Sequence, residues 1–158
     1  MKVLAIFTCY NRRELTRQSM ELLGQNKNVT FDYVIVNDGS TDGTDEMLAA
    51  MPYEIDLING DGGLFWNRGM YEAIEHAKKV HPDYEYYMLM NDDTKFVPGI
   101  FDEMLPLFAP DKVMVGAMCG DDGRMSYGGI KYVKGIKYKK YGPEAVSYTH
   151  LRAHETVL

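Results

Sequence analysis

Four short apolar runs, each followed directly by a polar cluster, constrain the fold of this chain more than any other feature. The runs occupy residues 3–8, 33–36, 55–58 and 86–90, and their lengths are typical of strands. A helical pattern lies between the first two runs, over residues 13–23, and Gly24 is expected to end it. Strands that alternate with helices form a mostly parallel sheet with helices on both faces. The sequence therefore predicts an α/β fold.

The remaining segments extend this alternation. A second helix is expected around Met47 and Leu48, capped by Asp42 or Thr44 and stopped by Pro52. A third helix should end near residue 80, and a fourth should run from residue 98, where proline suits a first turn, to residue 107. Residues 113–118 predict a fifth strand.

The pattern changes after residue 120. Residues 122–123 are Asp-Gly and residues 134–135 are Lys-Gly, both typical of hairpin turns. Residues 131–134 and 136–139 alternate in polarity, as half-exposed antiparallel strands do. We therefore expect a β-hairpin region in this part of the chain.

The polar clusters follow the apolar runs at residues 11–12, 38–39, 60–63 and 91–93. In parallel α/β sheets, ligands bind beyond the carboxyl ends of the strands. All four clusters should therefore meet at one edge of the sheet, which is the predicted binding site.

Asp92 and Asp93 indicate what this edge binds. Two adjacent carboxylates at the end of a buried strand are costly, because burial disfavours their charge and each repels the other. A divalent cation that holds a phosphate would offset this cost. Since residues 36–40 repeat the arrangement, the sequence predicts a nucleotide-diphosphate site.

Composition limits the alternatives. At 158 residues the chain is one domain or part of one, and its net charge of −6 argues against nucleic acid as a partner. Cys9 and Cys119 each lie at the end of an apolar run, which predicts free thiols in a reducing compartment. With neither a signal peptide nor a membrane span visible, we expect a cytoplasmic protein.

The last segment has a different character. Residues 146–156 resemble one reading frame of a sequencing adapter. We therefore expect an incomplete nucleotide-sugar-binding domain over residues 1–144 and a non-native tail over residues 145–158, with the natural chain continuing past about Glu144.

Residues 1–129 resemble the family-2 glycosyltransferases. Residues 6–12 are similar to the family's first strand, residues 36–44 to its Asp-Gly-Ser-x-Asp-Gly-Thr signature, residues 62–70 to its glycine-rich donor loop and residues 90–94 to its DxD region. The resemblance implies a GT-A (Rossmann-like) fold, a three-layer sandwich with a mostly parallel central sheet.

Two positions depart from the family pattern. Thr8 stands where proline is usual, and Asn91 occupies the first acid position of DxD. The second departure is similar to rhamnosyltransferase-like bacterial members, and it makes Asp93 the expected metal ligand.

The family implies transfer of a sugar from a UDP- or dTDP-sugar to a saccharide or lipid-linked acceptor, with inversion and with Mg²⁺ or Mn²⁺ as cofactor. The cation would stabilise the charge that develops on the diphosphate. A carboxylate general base is expected after the hairpin region, beyond the sequence given, so no catalytic residue is assigned.

Residues of the matching motifs are implied to bind the donor. By resemblance, Asp38 accepts a hydrogen bond from the ring N–H of uracil or thymine, and Tyr10 and Asn11 line the base pocket. The full set of expected donor-binding residues is Thr8, Tyr10, Asn11, Arg12, Asp38, Gly62, Gly63, Asn67, Arg68, Asn91 and Asp92.

Each assignment has a structural alternative. Asp38 can belong to a plain Asp-Gly turn, and Asp93 can cap a helix before Pro98. Arg68 can pair with Glu72 one helical turn away. Gly62 and Gly63 suit an ordinary loop, and residues 10–11 a strand end followed by a helix cap.

Two other functions compete with sugar transfer. A nucleotidyltransferase shares the architecture and the metal, but it needs a glycine-rich basic loop after the first strand, which residues 10–13 do not supply. A non-catalytic nucleotide-binding fragment is the second. The basic-aromatic residues 131–141 fit either a solvated hairpin edge or a peripheral contact with the inner face of the membrane.

Overall fold

A computed structural model describes residues 1–109 throughout and, beyond them, only the backbone of six short strands. The chain divides into two compact units, residues 1–105 and residues 106–158. The elements of the first unit, in chain order, are β1 (Lys2–Cys9), α1 (Arg13–Leu23), β2 (Thr30–Asn37), α2 (Thr44–Ala49), β3 (Ile55–Asn59), α3 (Phe65–Val80), β4 (Tyr86–Leu89) and α4 (Ile100–Met104).

A four-stranded parallel sheet in the order β3-β2-β1-β4 organises the first unit. The two central strands, β1 and β2, are buried except for their first residues. This burial is why their sequences are continuous apolar runs. The sheet is flanked by helices, and α3 buries Gly69, Met70, Ala73 and Ala77. The predicted α/β fold of GT-A type is confirmed.

Strand β4 differs from the prediction of a buried strand. Tyr87 and Leu89 are 42% and 58% exposed, whereas Met90 is buried. Within the described sheet β4 is an edge strand, paired on one side with β1. An apolar run does not reveal whether one of its faces stays uncovered.

Helix boundaries agree with the sequence for α1 and for the end of α3, but not for the start of α3 or for α4. The ends of α1 and α3 lie where they were expected. The predicted fourth helix does not begin at Pro98, because Gly99 adopts a φ of 74° and the helix starts at Ile100. A 3₁₀ turn, Leu105–Leu107, then reaches the predicted end.

The second unit contains short antiparallel pairs. Its strands are β5 (Val113–Met114), β6 (Met118–Cys119), β7 (Met125–Tyr127), β8 (Ile130–Val133), β9 (Lys137–Lys140) and β10 (Tyr148–Thr149). β6 pairs with β7 and β8 with β9, which confirms the hairpin region. The turns at residues 122–123 and 134–135 lie outside the described residues.

The predicted fifth strand over residues 113–118 is found only at its two ends. β5 pairs antiparallel with β10, and β6 belongs to a hairpin, while residues 115–117 lie outside the described part. Among the helices of the described residues, none combines the length and the apolarity needed to cross a membrane.

Candidate functional site

The parallel register brings the four polar clusters to one edge of the sheet. Cys9 is opposite Asn37 on β2, and Asn37 is opposite Asn59 on β3, so these three strands end level with one another. On the other side, Ile6 of β1 is opposite Leu89, the last residue of β4. Residues 10–12, 38–40, 60–64 and 91–93 therefore follow the same edge, which we call the polar edge.

Asp38 holds the loop between β3 and α3. Its side chain is buried, and Oδ1 accepts a hydrogen bond from the backbone N–H of Gly62 at 2.9 Å. Oδ2 accepts from the N–H groups of Leu64 and Phe65, each at 3.0 Å. These partners lie 24 to 27 residues away, so Asp38 does more than form a local turn. A carboxylate oxygen has two lone pairs, so Oδ1 has the chemistry to accept a second hydrogen bond.

The two loops around Asp38 pack too closely for larger residues. A Cβ on Gly39, whose φ is 74°, would lie 2.9 Å from the backbone nitrogen of Gly62. A Cβ on Gly60 would lie 2.5 Å from Oδ1 of Asp38. The glycines therefore permit the backbone contact between the Asp38 loop and the loop before α3.

Asn11 joins the loop after β1 to the loop after β2. Its backbone N–H donates to Oγ of Ser40 at 2.9 Å, and its Oδ1 accepts from the N–H of Thr41 at 2.7 Å. Asn11 has a φ of 50°, a conformation that asparagine tolerates better than most residues. It does not cap α1, whereas the neighbouring Tyr10 is exposed at this edge.

Asp42 accepts hydrogen bonds from the starts of two helices. One of its oxygens accepts from the N–H of Thr44 at 3.2 Å at the start of α2, and the other accepts from the N–H of Arg13 at 2.9 Å at the start of α1. The hydrogen bond from the Thr44 hydroxyl, followed by the one from Arg13, lowers the pKa of the Asp42 carboxyl. The expectation that Asp42 or Thr44 caps α2 is wrong, because Gly43 is the N-cap residue and no side chain caps the helix. Asp42 instead binds the N–H of the first helical residue from one position before the cap.

Arg12 supplies positive charge to the acidic pair. Its Nη1 lies 2.7 Å from Oδ2 of Asp93 and 3.4 Å from Oδ1 of Asp92. Burial raises the pKa of Asp92, the Arg12 charge opposes that shift, and the Asp93 charge adds to it. The guanidinium of Arg12 therefore provides positive charge of the kind expected from a metal ion. The electrostatic cost of placing two carboxylates together does not by itself demand a metal.

The acidic pair nevertheless suits a divalent cation by its chemistry. Among the described residues, no group of three or more His, Cys, Asp and Glu side chains is arranged to hold a metal ion. Mg²⁺ in nucleotide sites, however, is commonly held by one or two carboxylates together with substrate phosphates. Oxygens of Asp92 and Asp93 converge on one nitrogen of Arg12, which shows that both can face a single cation.

Trp66 is a residue at this edge to which the sequence assigned no role. Its Nε1 donates to Oδ1 of Asn91 at 3.0 Å, so the first turn of α3 is tied to the acidic loop. Trp66 is 57% exposed, and the neighbouring Phe65 is 78% exposed with a φ of 53°. The only sequence signal was two large aromatic residues directly after a glycine-rich segment.

Asn37 is a second residue that the sequence analysis missed. It is buried at the end of β2, and its Nδ2 donates to Oδ1 of Asp45 at 2.6 Å. Its backbone carbonyl oxygen accepts hydrogen bonds from the N–H groups of Gly39 at 2.9 Å and Gly60 at 2.7 Å. A polar residue that closes an apolar run, directly before an Asp-Gly pair, was the available signal.

Two expected site residues, Thr8 and Arg68, make structural contacts with other parts of the first unit. Thr8 is buried within β1, where its Oγ1 donates to the carbonyl of Val36 at 3.2 Å. A Cβ on Gly69 would lie only 2.6 Å from that Oγ1, so α3 covers Thr8. Arg68 makes the alternative contact, with its Nε 3.1 Å from Oε1 of Glu72.

The expected glycine-rich loop over residues 62–70 is shorter than predicted. Gly62, with a φ of 88°, and Gly63 belong to it, and the N–H of Gly63 donates to Asp61 at 3.0 Å. Because α3 begins at Phe65, Asn67 and Arg68 lie on its exposed first turn instead of in the loop.

Two cavities of the first unit lie away from the polar edge. One, of about 520 Å³, lies at the amino ends of the strands and is lined by residues that include Thr30–Tyr33 and 51–54. Another lies between α1 and α2, next to Arg13 and Arg17. Neither is lined by a residue of the four clusters. What distinguishes the polar edge is its charge and its hydrogen-bonding groups.

Comparison with known proteins identifies the kind of chain to which this edge belongs. The family model described as Glycosyl transferase family 2 matches residues 5–149. No curated protein matches the chain at a significant level. The matched range includes every candidate site residue.

Proposed function

This chain belongs to glycosyl transferase family 2, a family of enzymes that transfer a sugar from a nucleotide-sugar donor, and we propose that its polar edge is the donor site. The proposed donor is a UDP- or dTDP-sugar, and the proposed acceptor is a saccharide or a lipid-linked saccharide. Transfer is proposed to be inverting and to use Mg²⁺ or Mn²⁺.

The observation that carries this proposal is the convergence of the loop held by Asp38 with the acidic pair at a single sheet edge. The loop held by Asp38 can contact a base, and the acidic pair can bind a diphosphate together with its counter-ion. A nucleotide diphosphate needs both chemistries in one place, and sheets of this kind bind ligands at that edge.

On the nucleoside side, the second lone pair of Asp38 Oδ1 suits the ring N–H of uracil or thymine. The exposed ring of Tyr10 offers apolar contact to the base. Asn11 and Asn37 fix the loops that carry Tyr10 and Asp38. These residues would therefore orient the nucleoside without taking part in the transfer itself.

On the diphosphate side, Asp93 would hold the divalent cation, with Asp92 beside it. When bound, the cation supplies a Lewis acid that stabilises the leaving diphosphate. Before the cation binds, Arg12 supplies the positive charge beside Asp93. Gly62 and Gly63 carry no side chain, so phosphate oxygens can approach the backbone there.

A finer assignment rests on the sequence alone. The Asn91-Asp92-Asp93 arrangement supports a rhamnosyltransferase-like member. The general base stays a prediction for sequence beyond the hairpin region, and no described residue is assigned to that role.

The test is a thermal-shift titration with UDP, dTDP, GDP and ADP, each with and without Mn²⁺. A ligand that binds only the native state raises the melting temperature. We expect a metal-dependent rise with UDP or dTDP, lost in Asp93→Ala and kept in Asp83→Ala. Asp83 is a matched control because it is exposed between α3 and β4, at the opposite end of the sheet.

Two results would contradict the proposal. One is a cooperatively melting sample that responds to none of the four nucleotides. The other is an Asp93→Ala variant that folds and binds as the unchanged chain does, which would remove the metal role from Asp93.

A further inference from the structure

We propose that Arg12 is an exchangeable counter-ion, so that its ion pair with Asp92 and Asp93 and the binding of a divalent cation exclude each other. This inference rests on the proposed donor site and concerns how that site changes between its empty and loaded states. In the empty state the guanidinium holds the acidic pair, and in the loaded state the cation replaces it.

The distances require this exclusion. Nη1 of Arg12 lies 2.7 Å from Oδ2 of Asp93 and 3.4 Å from Oδ1 of Asp92, on the side where the two carboxylates converge. A magnesium ion sits about 2.1 Å from a carboxylate oxygen. A cation bound between the same oxygens would therefore contact the guanidinium, and two positive groups repel each other at that separation.

The placement of Arg12 lets its side chain move while its backbone stays fixed. The carbonyl of Arg12 accepts from the N–H of Thr16 at 2.9 Å, and the next residue, Arg13, is bonded to Asp42. The side chain, in contrast, is 49% exposed. The guanidinium can therefore leave the acidic pair without any change in α1.

A released Arg12 would have a new partner in the loaded site. A diphosphate carries several negative oxygens, and guanidinium groups bind phosphate through two parallel hydrogen bonds. The same arginine would thus stabilise the carboxylates before the donor arrives and the diphosphate afterwards. It would also weaken metal binding when no nucleotide is present.

The experiment measures Mn²⁺ binding by calorimetry and by electron paramagnetic resonance, without nucleotide. We expect Arg12→Gln to bind Mn²⁺ about fivefold more tightly than the unchanged chain, because a partly exposed ion pair no longer competes. Arg17→Gln is the matched control, since Arg17 pairs with Glu14 and Glu21 on the exposed face of α1 and should change nothing. Asp93→Asn should remove the tight Mn²⁺ site in both backgrounds.

A second measurement leaves the protein unchanged and covers the case of a variant that does not fold. The Nε–H signal of Arg12 is followed by nitrogen NMR during titration with Mg²⁺, and Arg12→Lys identifies the signal by its loss. We expect the Arg12 signal to shift and the Arg17 signal to stay.

An Mn²⁺ affinity that is equal or weaker in Arg12→Gln would overturn the inference. An Arg12 Nε–H signal that does not shift on addition of Mg²⁺ would overturn it as well. Nucleotide binding without any metal binding would also overturn it, because Arg12 would then be the permanent cation of the site. If Mn²⁺ binds as expected but no nucleotide binds, the exchange stands and the proposed donor site fails.

Discussion

Replacing Asp38 by alanine separates two roles that one carboxylate can have. The side chain is 4% exposed and accepts three backbone N–H groups from the loop before α3. If Asp38 only recognised a base, the substitution would abolish nucleotide binding and leave the fold unchanged. Because it also holds the loop, we expect the fold to lose stability without any ligand.

The size of the loss follows from the three hydrogen bonds. A hydrogen bond to a charged group contributes about 1.5–3 kcal/mol, and an orphaned buried N–H costs a similar amount. Water can reach part of this loop, since Gly62 and Gly63 are exposed. We therefore expect a decrease of roughly 3–5 kcal/mol in the free energy of unfolding, less than the full sum. For a chain of this size, that lowers the melting temperature by about 10 °C.

Urea unfolding with two probes measures this loss. Far-ultraviolet circular dichroism follows the whole fold, while Trp66, the single tryptophan, reports on the first turn of α3 beside the loop. Asp61→Ala is the matched control, because Asp61 lies in the same loop and accepts only the exposed N–H of Gly63. That control should change the free energy of unfolding by less than about 1 kcal/mol.

The reasoning is refuted if Asp38→Ala unfolds within about 0.5 kcal/mol of the unchanged chain, the range of ordinary surface substitutions. It is also refuted if Asp61→Ala costs as much as Asp38→Ala. A loss of nucleotide binding with unchanged stability would leave base recognition as the only role of Asp38.

Three further predictions test the hydrogen bonds, backbone strain and packing around the site. Asp42→Ala should cost about 1–2 kcal/mol at neutral pH by removing the hydrogen bonds to the first N–H groups of α1 and α2. Since the pKa of Asp42 is lowered in the fold, this contribution is present above the usual aspartate pKa and disappears as pH falls through the lowered value. A stability difference that stays constant with pH in urea unfolding would contradict it. Phe65→Gly should be about 1 kcal/mol more stable than Phe65→Ala, because only glycine adopts a φ of 53° without strain, and equal urea midpoints would contradict the strain. Gly69→Ala should cost about 1–3 kcal/mol through its contact with Thr8, measured in the same way, and adding Thr8→Ala should recover part of that loss. Strictly additive losses would count against this contact.

Strands and helices of the first unit were predictable where burial is complete. β1 and β2 are covered on both faces, which is why residues 3–7 and 33–36 are unbroken apolar runs. The run at residues 86–90 has a similar composition, yet β4 exposes Tyr87 and Leu89. Composition reports that a strand is apolar, whereas the number of its covered faces depends on which elements pack against it.

The meeting of the four polar clusters at one edge was predictable because it follows from topology. Four clusters after parallel strands must meet at one edge, whatever their loops do. The contacts within the site were not predictable. Arg12 and Asp93 are 81 residues apart in sequence, and Asp38 and Phe65 are 27 apart. Such pairs depend on loop conformations that no periodicity describes, which is why the ion pair of Arg12 with the acidic residues was not expected.

The most direct test of the donor site is to map nucleotide binding residue by residue with ¹H–¹⁵N NMR. The chain is titrated with UDP and with dTDP in the presence of Mg²⁺, and the backbone signals are followed. We expect the largest shifts at residues 10–12, 38–40, 60–66 and 91–94, and none at residues 51–54 beside the cavity at the opposite end of the sheet. Shifts confined to that cavity, or absent throughout at millimolar nucleotide, would contradict a donor site at the polar edge.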